Sequence, residues 1–435
     1  MKRLRLPSIL ACAALILASA ACGGSVSSPS SDPSPDSSVP DTAPDVADET
    51  SADVPPDGPD PALYPAFPPR APQIVKQKGP VIASPKVVTI TFAGDPNADA
   101  YEAFGDALGG SAYWAQVTSE YGVGPATGAG HVRLTAPLPS RMTETDLDAW
   151  VTAQLTDAVK NGYPALDPNG VYVYYSDRKV ALSIFGYTMC GPDRWGYGHY
   201  ATVDGVEYQY AFIGQCERGH GVVDDSTETA AGQIASEATH PHGAGDLDGS
   251  LIRGWIDFDP AHNAWRNFDE YDSDTAGACE LFPDTLVKVD EPAFKATIVK
   301  QWSNAAAKAG HDPCVPAPKT PYFNAVHLSP EVLGKAGSEG VIMNVGDTKT
   351  ISFGLFSDAP TPAWNLAVKE GSLLTLTAPK TFDATIDHAT GRNGDTVQLT
   401  VTLHKKAFSG GSYLVLASSD GTTTNYVSVL LSATK

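Results

Sequence analysis

Hydrophobic and polar positions alternate with period two in the C-terminal part of the chain. Val397, Leu399, Val401 and Leu403 interleave with Gln398, Thr400, Thr402 and His404, the pattern of a strand with one buried face. Residues 348–356, 412–417 and 425–431 also read as strands, separated by Gly-Asp or Asp-Gly turns, and no helical period competes with them. Residues 329–435 are therefore expected to form a β-sandwich of immunoglobulin-like type.

Ahead of that region both periods occur. Residues 86–92 are rich in β-branched side chains and close on Gly94-Asp95-Pro96, which predicts a strand and a turn. Residues 98–121 read as helix interrupted at Gly109-Gly110. Thr143 and Asp146 frame a capping box before Leu147, Trp150, Val151 and Leu155, an amphipathic stripe. Asn169-Gly170 turns into a second strand over 171–175, and 206–213 reads as a third. Asp225 opens a helix that ends at Pro241. Pro292 starts a last helix, with Phe294, Ile298 and Trp302 on one face and Gly310 as its cap. Strands and helices mixed over residues 75–328 predict an α/β or α+β region.

The N-terminus differs in kind. Lys2, Arg3 and Arg5 precede an apolar run from Leu6 to Ala18, a secretory leader pattern. Leu17-Ala18-Ser19-Ala20-Ala21-Cys22-Gly23 resembles a bacterial lipobox, which makes residues 1–21 a signal peptide and Cys22 a lipidated mature N-terminus. Ser19 stands where such boxes usually carry Leu, and cleavage after Ala20 without lipid is the alternative. Residues 22–74 are dominated by Ser, Pro, Asp and Ala, with no Lys or Arg between Arg5 and Arg70. So little apolar surface cannot offset the entropy of ordering, and the segment is expected to be a disordered tether. The organisation this predicts is an exported, membrane-anchored lipoprotein of the cell envelope.

Charge narrows the partners. The 435 residues carry 29 Lys plus Arg against 50 Asp plus Glu, a formal charge of −21. Such a surface repels phosphate backbones and excludes nucleic acid as a partner. Of the six Cys, Cys12 lies in the leader and Cys22 is the lipid site, leaving Cys190, Cys216, Cys279 and Cys314. In an oxidising compartment these make two disulfides, in any of three connectivities. No C-x-x-C spacing points to zinc instead.

Three stretches carry a family resemblance. They are Gly79-Pro80-Val81-Ile82, then Trp114 with residues 119–124 (Ser-Glu-Tyr-Gly-Val-Gly), then Trp302-Ser303-Asn304-Ala305 with residues 310–316 (Gly-His-Asp-Pro-Cys-Val-Pro). These are similar to secreted bacterial proteins related to the EXORDIUM (phosphate-induced) family, over about residues 79–316. The resemblance implies a metallopeptidase-like domain and cysteines paired in sequence order, Cys190–Cys216 and Cys279–Cys314. Many bacterial members carry H-E-x-x-E in a helix ending in Thr-Asp-Pro, a zincin-like pattern. Residues four apart share a helix face, and His plus carboxylate suits zinc. Aligned on Thr239-His240-Pro241, this chain has Gly232, Gln233 and Ser236 at the three motif positions. Ala276-Gly277-Ala278 precedes Cys279 where acidic residues are expected. What the resemblance implies is a degenerate zinc site.

Other ligands lie nearby. Glu237 and His240, three apart at the helix end, with His242 in the following loop, form a candidate metal site. Asp246 and Asp248 offer oxygens to calcium. Pro241 breaks the backbone between the two imidazoles, and a His at a helix C-terminus is commonly a solvated end residue favoured by the dipole. No G-x-S-x-G elbow, P-loop or G-x-G-x-x-G occurs. Trp195, Tyr197, His199 and Tyr200 form an aromatic cluster suited to stacking on sugars or to packing on a sheet. The expected function is that of a non-catalytic lipoprotein, bound to the bacterial membrane through its anchor. Its metallopeptidase-like domain acts as a binding or structural module for a protein or polysaccharide, with zinc not favoured and no catalytic residue assigned. The alternatives are a secreted metal-dependent peptidase built on Glu237, His240 and His242, and a carbohydrate-binding surface protein.

Overall fold

The β-branched run near the start of the α/β region forms strand β1 (Lys86–Phe92), as expected. The structure is a computed structural model. It describes residues 60–176, 180–184, 186–191, 195–241, 254–257, 279, 286–333, 338–370, 380–407 and 411–433. With β2 (Thr127–Leu134), β3 (Gly170–Ser176), β4 (Gly196–Val203) and β5 (Val206–Gly214), β1 builds a five-stranded sheet in the order β2-β1-β3-β5-β4. Four strands run parallel, and β4 runs antiparallel to β5 along one edge. Asp204 and Gly205, both at positive φ, make the two-residue turn between β4 and β5. Every residue of β3 is buried, as a parallel strand covered on both faces requires. Val171, Val173 and Tyr175 enter one core, Tyr172 and Tyr174 the other.

Helices supply both covers. On the first side lie α1 (Ala98–Leu108) and α2 (Ala112–Thr118), divided at Gly109-Gly110, with Ser111 accepting the Trp114 N–H at 3.0 Å to cap α2. On the second side, α3 (Glu144–Thr156) opens with the expected capping box. Thr143 accepts the Asp146 N–H while Asp146 accepts the Thr143 N–H, and Leu147, Val151 and Leu155 fill the core. Returning to the first side, α4 (Val222–Thr239) starts a turn ahead of Asp225, with Gly221 at φ 98° leading the chain into it.

The helix expected from Pro292 does not form. Instead β6 (Leu286–Glu291) and β7 (Phe294–Val299) make an antiparallel hairpin, and only α5 (Asn304–Ala309) is helical, ended by Gly310 at φ 77° as expected. Phe294 and Ile298 are four apart, an even spacing that shares a strand face as readily as a helix face. The consecutive β-branched Thr297, Ile298 and Val299 favour the strand, and Phe294 and Ile298 join the core on the α4 side.

The C-terminal region is all strand. A four-stranded sheet contains β8 (Phe323–His327), β11 (Thr348–Ser357), β13 (Phe382–Ile386) and β15 (Thr396–Leu403). A six-stranded sheet contains β9 (Glu331–Leu333), β10 (Ser338–Ile342), β12 (Trp364–Glu370), β14 (Thr390–Gly391), β16 (Ser412–Ser419) and β17 (Thr424–Ser432). The pairings are antiparallel except for β10 with β17. Both sheets feed one core, with Phe353, Leu399 and Val401 from the first meeting Trp364, Leu414 and Leu431 from the second. The alternation read from 397–404 places Val397, Leu399, Val401 and Leu403 inside.

Ordered packing also starts before Val75. Phe67 and Ile74 are buried, so residues 60–74 belong to the fold although their composition groups them with the tether. The leader, Cys22 and the tether up to residue 59 lie outside the described residues. Among the described residues no helix is long and apolar enough to cross a membrane.

Candidate functional site

The edge strand β4 runs alongside α4, the helix that carries the motif positions, and the contact depends on two glycines. Thr229, Gln233 and Glu237 recur at four-residue intervals along one face of α4. A methyl group added to Gly196 would come within 2.8 Å of Thr229 Cγ2. One added to Gly198 would overlap Glu237 Oε1 and lie 2.8 Å from Gln233 Oε1. Glycine is thus required on β4 for this face of α4 to seat its polar side chains directly on the strand.

The motif positions offer a metal little. Gly232 has no side chain, Gln233 is neutral and laid against β4, and Ser236 is buried within the helix packing. Zinc needs charged or imidazole donors, so these three residues do not fit it. Of the replacement ligands, Glu237 is 1% exposed and sits on Gly198. His240 follows the last turn of α4, 4% exposed, and its Nδ1 accepts the Gly254 N–H at 3.2 Å. His242, Asp246 and Asp248 lie outside the described residues. Among the described residues, no three of His, Cys, Asp and Glu are grouped so as to hold a metal ion.

On the opposite face of β4, three aromatic rings converge on Asp148 of α3. The Tyr210 hydroxyl donates to Asp148 Oδ1, the Tyr197 hydroxyl reaches the same oxygen at 3.5 Å, and His199 Nδ1 lies 3.4 Å from it. Burial, then the Asp148 charge, hold both tyrosine hydroxyls well above their ordinary pKa, so they remain protonated donors. His199 stacks on Tyr200 with ring centroids 4.8 Å apart and on Tyr197 at 5.7 Å. Of the aromatic cluster Trp195, Tyr197, His199 and Tyr200, Tyr197 packs inward, in line with the sheet-packing alternative, and Trp195 is covered by the Arg218 guanidinium at 4.5 Å. Asp148 lies on the polar side of α3, and neither the capping box nor the apolar stripe that marks this helix in sequence singles it out.

Arg218 also organises the start of α4. It pairs with Glu228, and its backbone N–H donates to Asp225 Oδ2 at 2.6 Å while His220 Nδ1 meets Asp225 Oδ1 at 2.9 Å. Burial raises the Asp225 pKa, but these hydrogen bonds and the Arg218 charge outweigh it and hold the carboxyl below its usual range. The preceding chain is fixed by the Cys190–Cys216 disulfide. The second disulfide, Cys279–Cys314, lies in an apolar cluster with Ile74, Tyr121 and Trp302. Both follow the sequence-order pairing implied by the resemblance, and paired cysteines fit an exported protein.

No protein-family model matches the sequence, and no curated protein matches it.

Proposed function

We propose that this chain is a lipid-anchored protein of the bacterial cell envelope whose metallopeptidase-like α/β region serves as a binding or structural module. The C-terminal strands, read as an immunoglobulin-like sandwich, form its second unit. The observation that carries this reading is the seating of Gln233 and Glu237 on Gly198. The helix that would present zinc ligands and a general base to a cleft is closed against the edge strand, with no metal donor at Gly232 or Gln233. Among the described residues β4 pairs only with β5. The basic leader, the apolar run and the Cys22 context support the anchor.

Two measurements test the reading. The mature protein is expected to show no chelator-sensitive cleavage of unfolded protein substrates, and Cys22→Ser to release it from the membrane fraction. Cleavage abolished by chelator and restored by zinc would overturn the non-catalytic half. A mature, unmodified N-terminus at Ala21 would overturn the anchor.

A further inference from the structure

The α/β region and the β-rich region touch mainly through irregular chain. Among the described residues, no helix or strand of the α/β region packs broadly on a strand of the β-rich region. The contacts nevertheless do not divide these residues into separate bodies. Beside the His311–Asp358 contact at 2.9 Å and Val427 packed on the cluster around Cys279–Cys314, the most extensive link is the proline-rich stretch of residues 60–74, which is bound at both ends.

At its β-rich end, Asn393 holds the backbone. Its Nδ2 donates to the carbonyls of Pro61 at 3.1 Å and Leu63 at 2.7 Å, and its Oδ1 accepts the Ala66 N–H at 3.1 Å. Phe67 then packs with Tyr322, Val326 and Phe356 on the outer face of the four-stranded sheet. The ring lies directly over Gly354, where an added methyl would come within 2.5 to 2.7 Å of three ring carbons. At the α/β end, the Ile74 N–H donates to Asn304 Oδ1 at 2.8 Å and Asn304 Nδ2 donates back to the Ile74 carbonyl at 2.7 Å. The Ile74 side chain enters the cluster around the Cys279–Cys314 disulfide. Between the two ends, Pro65 and Pro69 lie close over Gly310. Proline fixes φ, so little backbone freedom is lost when such a strap docks.

We propose that residues 60–74 are an intramolecular clamp that couples the two regions, setting their relative orientation and making them unfold as one unit. The clamp is the direct continuation of the N-terminal acidic segment, so a pull on that segment enters the fold at Asn393 and Phe67 before it reaches either core. The proposal stands apart from the reading of the α4 site.

The test is calorimetry and small-angle scattering on the mature protein and two variants. Phe67→Ala with Asn393→Ala loosens the strap. Gly354→Ala ejects the Phe67 ring from the sheet side without altering the strap. The wild type is expected to give one unfolding transition. Each variant is expected to give two, with a larger radius of gyration. Should the double variant fail to fold, Gly354→Ala decides alone. One transition with an unchanged scattering profile in Gly354→Ala, or two transitions already in the wild type, would overturn the clamp.

Discussion

The core shared by the two C-terminal sheets gathers aliphatic and aromatic side chains, with neutral Ser357, Ser412, Ser418 and Asn425 buried in the same region, whereas the α/β region buries Glu102, Asp225, Glu228, Glu237 and Asp257. No carboxylate among the described residues of the β-rich region is buried in this way. Burying a charge costs several kcal/mol unless it is paired and hydrogen-bonded, so a fold retains such groups where their position matters. Arg218 and His220 compensate Asp225 and Glu228, and Arg133 compensates Glu102. The contrast makes the β-rich region a scaffold stabilised by apolar area. It makes the α/β region the place where specific polar groups are held against a strand.

Mutations that remove equal stability should therefore behave differently with pH in the two regions. The largest effect is expected from Leu399→Ala, which opens a cavity in the apolar core and should cost about 2–5 kcal/mol in denaturant unfolding, nearly equally at pH 7 and pH 4. Arg218→Met should cost about 3 kcal/mol at pH 7, because it strands Asp225 and Glu228. Asp225 has a folded pKa below its unfolded one, so its contribution is present above about pH 4 and is lost as pH falls through the folded value. The Arg218→Met penalty should shrink over that acid range, and a pH-independent penalty would break the comparison.

Among the described residues, the β-rich region does bury a histidine. Burial first, then the nearby Arg70 charge, lower the His327 pKa from 6.5 to about 4, against an opposing pull from Glu331. A histidine depressed on folding stabilises above its unfolded value and loses that contribution as pH falls from 6.5 toward 4. The loss should be roughly 3 kcal/mol, and His327→Gln should flatten the stability curve over that window. Tyr210→Phe should have the smallest effect, about 1 kcal/mol, since it removes one hydroxyl donor from a part-exposed carboxylate. A loss as large as that of Leu399→Ala would mean that the Asp148 cluster, and not the apolar packing, holds the edge strand.

How legible each part was follows from how local its cause is. The strands at 86–92 and 397–404, the Thr143 capping box and the Gly310 cap are written in neighbouring residues, and all appear. The false helix from Pro292 arose because a spacing of four satisfies both periods, and only pairing with residues 286–291 settles it. Strand β2 has a weak sequence signal because Gly128 and Gly130 dilute its β character, while its place is fixed by parallel pairing with β1. Residues 60–74 read as tether because Phe67 and Ile74 are sparse among prolines, and their partners lie hundreds of positions away. At the site, the weakness of Gly232, Gln233 and Ser236 as zinc donors is legible in sequence. The helix face closed on Gly198 is not, because it depends on which strand α4 packs against.

The central claim is that α4 does not present a metal, and the most direct test is the zinc content of the mature protein purified without added metal. A content well below one zinc per chain is predicted, since Gly232 and Gln233 supply no ligand and His240 Nδ1 is already occupied by the Gly254 N–H. One tightly held zinc per chain, lost together with hydrolytic activity in His240→Ala, would contradict the account and place a rearranged site at Glu237, His240 and His242.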